Sequence, residues 1–384
     1  MWKFFCVAAL ALASCASTPE RAPAPQLSFT PYALDAEATP AQLGAFSVPE
    51  NRANPLSRQI TIKFVRLPST STTPGAPIVY LAGGPGSGGI EALSGPRGPL
   101  LRRLRSVADV IVLDQRGTGQ SNVIPPCDPE VELSPLHLTG AEIVTYYRAA
   151  LSRCLEQWTT AGVDIRGYDL LDSAADIEDF RRALGAPQIN LLAISYGAQL
   201  GMAYMRAHPQ NVERAVLASP RALHETLRLP ANIDAFLNRV GGGDLTARMR
   251  RVHARLDQSP VSVAVTPRGA AAPVAMRFDS WPVRYIVAFF LLNDARGISR
   301  LPALYTQMDS GDYSAIGEMI LAFGVDSQRG RFTNFRGMGE IMDLSSGAGS
   351  PDRVALWRAQ LAGSVLGDVH SFPMPQAEGL GDGL

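Results

Sequence analysis

Four short apolar runs punctuate the first 220 residues, each closed by glycine or by turn-forming residues. Residues 77–82 (PIVYLA), 108–114 (ADVIVLD), 188–194 (QINLLAI) and 215–218 (AVLA) have the length and β-branched content of buried strands. Upstream, residues 45–49 and 59–67 also predict strands, the second with Ile60, Ile62 and Phe64 alternating. Between the runs, apolar positions take helical spacing. One helix is expected to open at Ser173, with Asp176 in its first turn, and to close at Gly185 and Pro187; a second spans Tyr196 to Ala207. Strands alternating with helices predict an α/β protein with a mainly parallel sheet. After Pro220 the pattern changes: residues 221–260 and 280–366 are mostly helical, with a hairpin over 261–265 and 273–278. This stretch is expected to be an α-rich lid inserted after the fourth parallel strand. The apolar run 286–292 is too short to span a membrane.

Residues 4–14 form an unbroken apolar or small run behind Lys3, the pattern of a signal peptide. It ends Leu12-Ala13-Ser14-Cys15, similar to a bacterial lipoprotein processing box, which would make Cys15 a lipidation site; plain secretion is the alternative. Residues 16–40, rich in Pro, Ala, Thr and Ser, predict a tether. Export leaves Cys127 and Cys154 as an even pair in an oxidising compartment, a candidate disulfide, with two unpaired buried thiols as the alternative. The 35 basic and 35 acidic residues cancel, which removes any electrostatic case for nucleic-acid binding. Charged residues are 18% and hydrophobic ones 46%, so a disordered protein is excluded. No metal-binding motif of the His-Glu-x-x-His type and no phosphate loop occurs, and no cofactor is expected.

Three loops carry chemistry. Ala193-Ile194-Ser195-Tyr196-Gly197 lies between an apolar strand and a helix, the setting of a nucleophile elbow, with Ala193 in place of the first glycine. Gly83-Gly84-Pro85-Gly86-Ser87-Gly88-Gly89 follows the strand PIVYLA, and its backbone N–H groups are free of side-chain cover, as an oxyanion hole requires. Gly84, Gly86 and Gly89 also match the dinucleotide fingerprint formally, with Asp109 about 20 residues on, but Pro85 interrupts the loop and Pro96 and Pro99 follow where a helix should start. The third loop, Asp114-Gln115-Arg116-Gly117-Thr118-Gly119-Gln120-Ser121, predicts a local charge-assisted hydrogen-bond network that braces the second.

Taken together, these loops resemble the α/β-hydrolase fold, and within it the proline iminopeptidase and tripeptidyl aminopeptidase family of serine peptidases. Val48-Pro49-Glu50-Asn51 and the Ser173–Gly185 helix add to a likeness that covers roughly residues 45–380. The resemblance implies that Ser195 is the nucleophile of an acyl-enzyme mechanism, with Tyr196 N–H and Gly83 or Gly84 N–H holding the oxyanion. It implies peptide substrates cleaved near their N-terminus, an α-amine bound by a lid carboxylate such as Glu318 or Glu340, and pairing of Cys127 with Cys154. Ala82 departs from the pattern, where many members have His.

The resemblance also implies an Asp and then a His after the lid. His208, His224, His253 and His370 follow Ser195, but none follows a buried strand, and each is expected to be solvated or capping. His370 with Asp368 is the nearest substitute. A truncated product is therefore expected, ending where a further strand would begin, with an open sheet edge and impaired turnover. The expected division is 1–15 leader, 16–40 tether, 41–220 hydrolase core, 221–366 lid and 367–384 a return to the core. An esterase on the same scaffold and a non-catalytic envelope lipoprotein are the alternative readings.

Overall fold

The sheet follows from the apolar runs. In the computed structural model, which describes residues 23–34, 39–121, 124–125, 127, 137–220, 230–266, 271–326, 331–332, 337–347, 349–371 and 378–380, seven strands share one sheet. They are β1 (Ser28–Pro31), β2 (Gln42–Pro49), β3 (Gln59–Leu67), β4 (Ile78–Leu81), β5 (Val110–Leu113), β7 (Ile189–Ile194) and β8 (Val212–Ala218). A two-residue strand, β6 (His137–Leu138), lies outside it. The order is β1-β2-β3-β5-β4-β7-β8; β1, β2 and β3 pair antiparallel, and β5, β4, β7 and β8 run parallel. Every residue of β4 and β5 is buried, as expected for central parallel strands covered on both faces.

Helices α1 (Gly98–Leu104), α2 (Gly140–Thr160), α3 (Leu170–Ala183) and α4 (Tyr196–Ala207) flank the sheet. Helix α2 begins on a capping box, in which Thr139 accepts from the Glu142 N–H and the Glu142 carboxylate accepts from the Thr139 N–H. Helix α3 starts three residues before the expected Ser173, because Asp169 accepts from the Asp172 N–H at 2.6 Å and caps it; the Ser173 hydroxyl instead donates back to the Asp169 carbonyl. Between sheet and helix, Phe46, Phe64 and Phe180 pack together, with the Phe64 and Phe180 rings 4.8 Å apart.

Residues 230–361 supply α5 (Pro230–Val240), α6 (Leu245–Gln258), α7 (Ser280–Phe289), α8 (Ala295–Asp309), α9 (Ser314–Gly324), α10 (Met338–Ser345) and α11 (Pro351–Leu361). The expected hairpin is present as β9 (Val261–Val265) and β10 (Val274–Phe278), and β6 joins it in parallel with β10. No helix among the described residues is long and apolar enough to cross a membrane.

Two expectations are corrected. Residues 28–31, within the stretch read as a tether, form β1, because Pro31 sits at a sheet edge where its missing N–H costs nothing. His253 is buried rather than solvated: α6 turns it inward, where Nε2 lies 2.8 Å from the Tyr305 hydroxyl. The expected disulfide is present, Cys127 to Cys154 with Cα atoms 5.4 Å apart, and it ties the loop before α2 to that helix. The expected leader, its Cys15 and His224 lie outside the described residues.

Candidate active site

Register brings the three loops together. Leu81 of β4 stands opposite Leu113 of β5 and opposite Ala193 of β7, so the chain leaves all three strands at the same end of the sheet. This is the carboxyl end of parallel strands, where open α/β sheets place their ligands.

Ser195 occupies the turn between β7 and α4 with φ 55° and ψ −118°, a positive φ that non-glycine residues rarely adopt. Its N–H donates to the Ala218 carbonyl at 2.9 Å, tying the strained turn to the end of β8. The turn requires small neighbours. A Cβ on Gly197 would collide with the Leu81 and Ala82 carbonyl oxygens. Two residues before Ser195, the Ala193 methyl is accommodated because Gly201 of α4 lies opposite; a Cβ there would be 3.5 Å from the Ala193 Cβ.

Gly83 packs directly on the serine. A Cβ at Gly83 would stand 3.0 Å from the Ile194 carbonyl oxygen, 3.1 Å from the Ser195 Cβ and 3.7 Å from its Oγ. Gly84 follows with φ 120°. Ser195, Gly83 and Gly84 line a cleft of about 570 Å³ whose other walls include Tyr80, Glu91 and Arg97. No histidine lines this cleft among the described residues.

The third loop braces the second, but its charges do not pair locally as expected. The Asp114 carboxylate accepts from the Ile90 N–H at 2.8 Å and the Gln120 N–H at 2.7 Å, both backbone donors; burial pushes its pKa up, and these bonds offset part of that. Arg116, fully buried, reaches instead to Asp176 of α3 in a two-bond fork of 2.7 and 2.6 Å. It also donates to the carbonyls of Glu50 and Gly167. Glu50 in turn takes the Tyr168 hydroxyl at 2.7 Å and a fork from Arg58. The network lies beneath the loops and locks α3 to the turn after β2.

The two candidate carboxylates separate. Glu318 is exposed on α9 and accepts from the Thr266 N–H just after β9, away from the cleft. Glu340 is buried in α10, whose start abuts the glycine loop: a Cβ on Gly86 would lie 3.0 Å from the Gly339 nitrogen. The backbone of His370 belongs to the short helix Gly367–Ser371, which packs against α7 and α11. Sequence reasoning missed Gln115, whose amide reaches the carbonyl just before the glycine loop, although it stands in the recognised run Asp114–Ser121.

A family model described as the alpha/beta hydrolase fold matches residues 76–311, and the chain belongs to that family. Among curated proteins it is similar to serine protease Hip1 of Mycobacterium tuberculosis, 28% identical over 209 residues that cover 52% of this chain and 38% of that protein. It is also similar to the tripeptidyl aminopeptidase of Streptomyces lividans, 30% identical over 193 residues covering 47% of this chain and 35% of the relative. The match thus spans well under half the length of these relatives. Among solved structures, a thermophilic esterase from Thermogutta terrifontis is 17% identical with a TM-score of 0.31, covering 77% of this chain and 73% of the other.

Proposed function

We propose that the chain is a serine hydrolase of aminopeptidase type, with Ser195 as nucleophile. The observation that carries this is the strained Ser195 turn, with Gly83 packed so close that a Cβ on it would stand 3.1 Å from the Ser195 Cβ. Ser195 attacks the carbonyl near a peptide's N-terminus. The N–H groups of Tyr196 and of Gly83 or Gly84 hold the oxyanion, and an acyl-enzyme follows. Glu340 is proposed, ahead of Glu318, to take the substrate's α-amine; the approach of the α10 start to the glycine loop supports this choice. The peptidase names of the curated relatives support peptides as the substrate class. Export to the cell envelope, with lipidation at Cys15, is supported by the run 4–14 and by the Cys127–Cys154 bridge, which suits an oxidising compartment.

Turnover by these 384 residues is proposed to run about 10⁴-fold below that of a complete triad, because no imidazole stands beside Ser195 among the described residues. The test is a fluorophosphonate probe on the purified chain. Slow labelling that disappears in Ser195→Ala supports the assignment; labelling that survives it places the nucleophile elsewhere. A parallel panel of aminoacyl and simple acyl chromogenic substrates separates peptidase from esterase. His370→Ala is expected to leave the labelling rate unchanged, and a loss there would make His370 the base.

A further inference from the structure

The glycine loop is held at both ends by two adjacent residues. Asp114 takes the Ile90 N–H at the far end, and Gln115 holds the near end, where its Nε2 donates to the Ala82 carbonyl oxygen at 2.9 Å. Gln115 is buried, and the hydroxyl of Thr118 donates to its own backbone carbonyl at 2.8 Å, so the residue is fixed from both sides.

The Ala82 carbonyl and the Gly83 N–H belong to one peptide unit. That unit is trans and planar, so its C=O and N–H point in opposite directions. Fixing the oxygen therefore fixes the direction of the N–H. Among the described residues the Gly83 N–H donates to no other group, while Gly83 itself packs on Ser195. A hydrogen bond to the carbonyl also polarises the amide and strengthens its N–H as a donor.

We propose that Gln115 is a positioning residue for the oxyanion hole: through the Ala82 carbonyl it aims and polarises the Gly83 N–H beside Ser195. This rests on the reading of Ser195 as nucleophile and of Gly83 as its oxyanion donor. Gln115 touches no substrate. Its amide is the required group, since a side chain at this position must donate to a carbonyl. A carboxylate of the same shape would set two acceptors against each other.

The experiment measures the rate at which a fluorophosphonate labels Ser195 in the full chain. In that reaction the Ser195 oxygen bonds to phosphorus, its proton passes to buffer, fluoride leaves, and the phosphoryl oxygen gathers negative charge where an acyl oxyanion would. Removal of one oxyanion donor typically costs 10²–10³-fold, and a donor left unaimed is expected to cost at least about tenfold. Gln115→Glu should slow labelling by that factor at pH 8. Its rate relative to wild type should rise as pH falls toward about 5, because the introduced carboxyl then carries a proton it can donate. Gln115→Met, which removes the donor without adding charge, should be slow at every pH with a melting temperature near that of wild type. Unchanged labelling in Gln115→Met, or slowing in Gln115→Glu with no recovery at low pH, overturns the positioning role while leaving Ser195 as nucleophile. Wild-type labelling that is indifferent to Ser195→Ala overturns the parent reading, and this inference with it.

Discussion

Arg116 shows how much of this site is set by single side chains that never meet a substrate. It is fully buried, yet its guanidinium is surrounded by acceptors: both oxygens of Asp176, one of Asp172, and the carbonyls of Glu50 and Gly167. Such a charge is tolerable in the interior only because each donor has a partner. Arg116→Ala removes the cation and leaves Asp176, itself nearly inaccessible, against only the partly exposed Arg52. Breaking a buried pair in this way is expected to cost about 3–5 kcal/mol, read as a lowered denaturant midpoint. Arg116→Lys should recover little, because one ammonium cannot reproduce the planar fork to Asp176. A midpoint within experimental error of wild type for Arg116→Ala would show that the network is dispensable.

At the level of elements, α6 carries a group whose titration can be followed. His253 Nδ1 lies 3.1 Å from the Val365 carbonyl and 3.4 Å from Arg284 Nε, and Nε2 lies 2.8 Å from the Tyr305 hydroxyl. Burial, and then the positive charge of Arg284, push its pKa down to about 3. In the unfolded chain the imidazole binds a proton below about 6.5, while in the folded protein it does so only below about 3. The unfolded state therefore binds more protons throughout that window, and stability falls as pH is lowered through it. The contribution is expected to be on the order of 1 kcal/mol per pH unit below 6.5. His253→Gln should flatten the dependence of the urea midpoint on pH between 7 and 5, and parallel curves for the two proteins would refute the assignment.

The sequence pattern foresaw α6 but not the burial of His253, and the reason is general. Local pattern reveals elements whose own residues decide them: β3 and α4 fall where the apolar runs and the Ser-Tyr-Gly turn place them, and β4, β5 and β7 start and end within two residues of expectation. Features fixed by distant partners are not legible. The Arg116 partner lies 60 residues away, the carbonyl bound by Gln115 lies 33 residues back, and the α10 start that abuts Gly86 lies some 250 residues on. Strand β1 was hidden differently, since all four of its residues are exposed and it pairs with β2 at the sheet's edge without an apolar run of its own. The candidate site was legible at Ser195, Gly83 and Gly84 because strand ends and glycines mark themselves. The separation of Glu340 from Glu318 depends on the packing of the whole helical layer.

For the molecule as a whole, the sheet is unequal at its two sides. On the β1 side the last strand is short and follows Pro-rich chain. On the other, β8 pairs among the described residues with β7 alone, and most of its seven residues are exposed, Val216 among them at 61% of its surface. Parallel strands are normally covered on both faces, so an apolar position on an open parallel edge invites pairing with another chain. The expected consequence is association that grows with protein concentration, visible by light scattering under conditions where melting shows the fold intact. Val216→Lys adds a charge to the exposed face without touching the β7–β8 hydrogen bonds, and charged edge residues oppose edge-to-edge pairing. The variant should scatter less at equal concentration and melt at the wild-type temperature. Equal scattering by the two proteins would move the source of association away from β8, to other exposed apolar side chains such as Leu56 or Leu171.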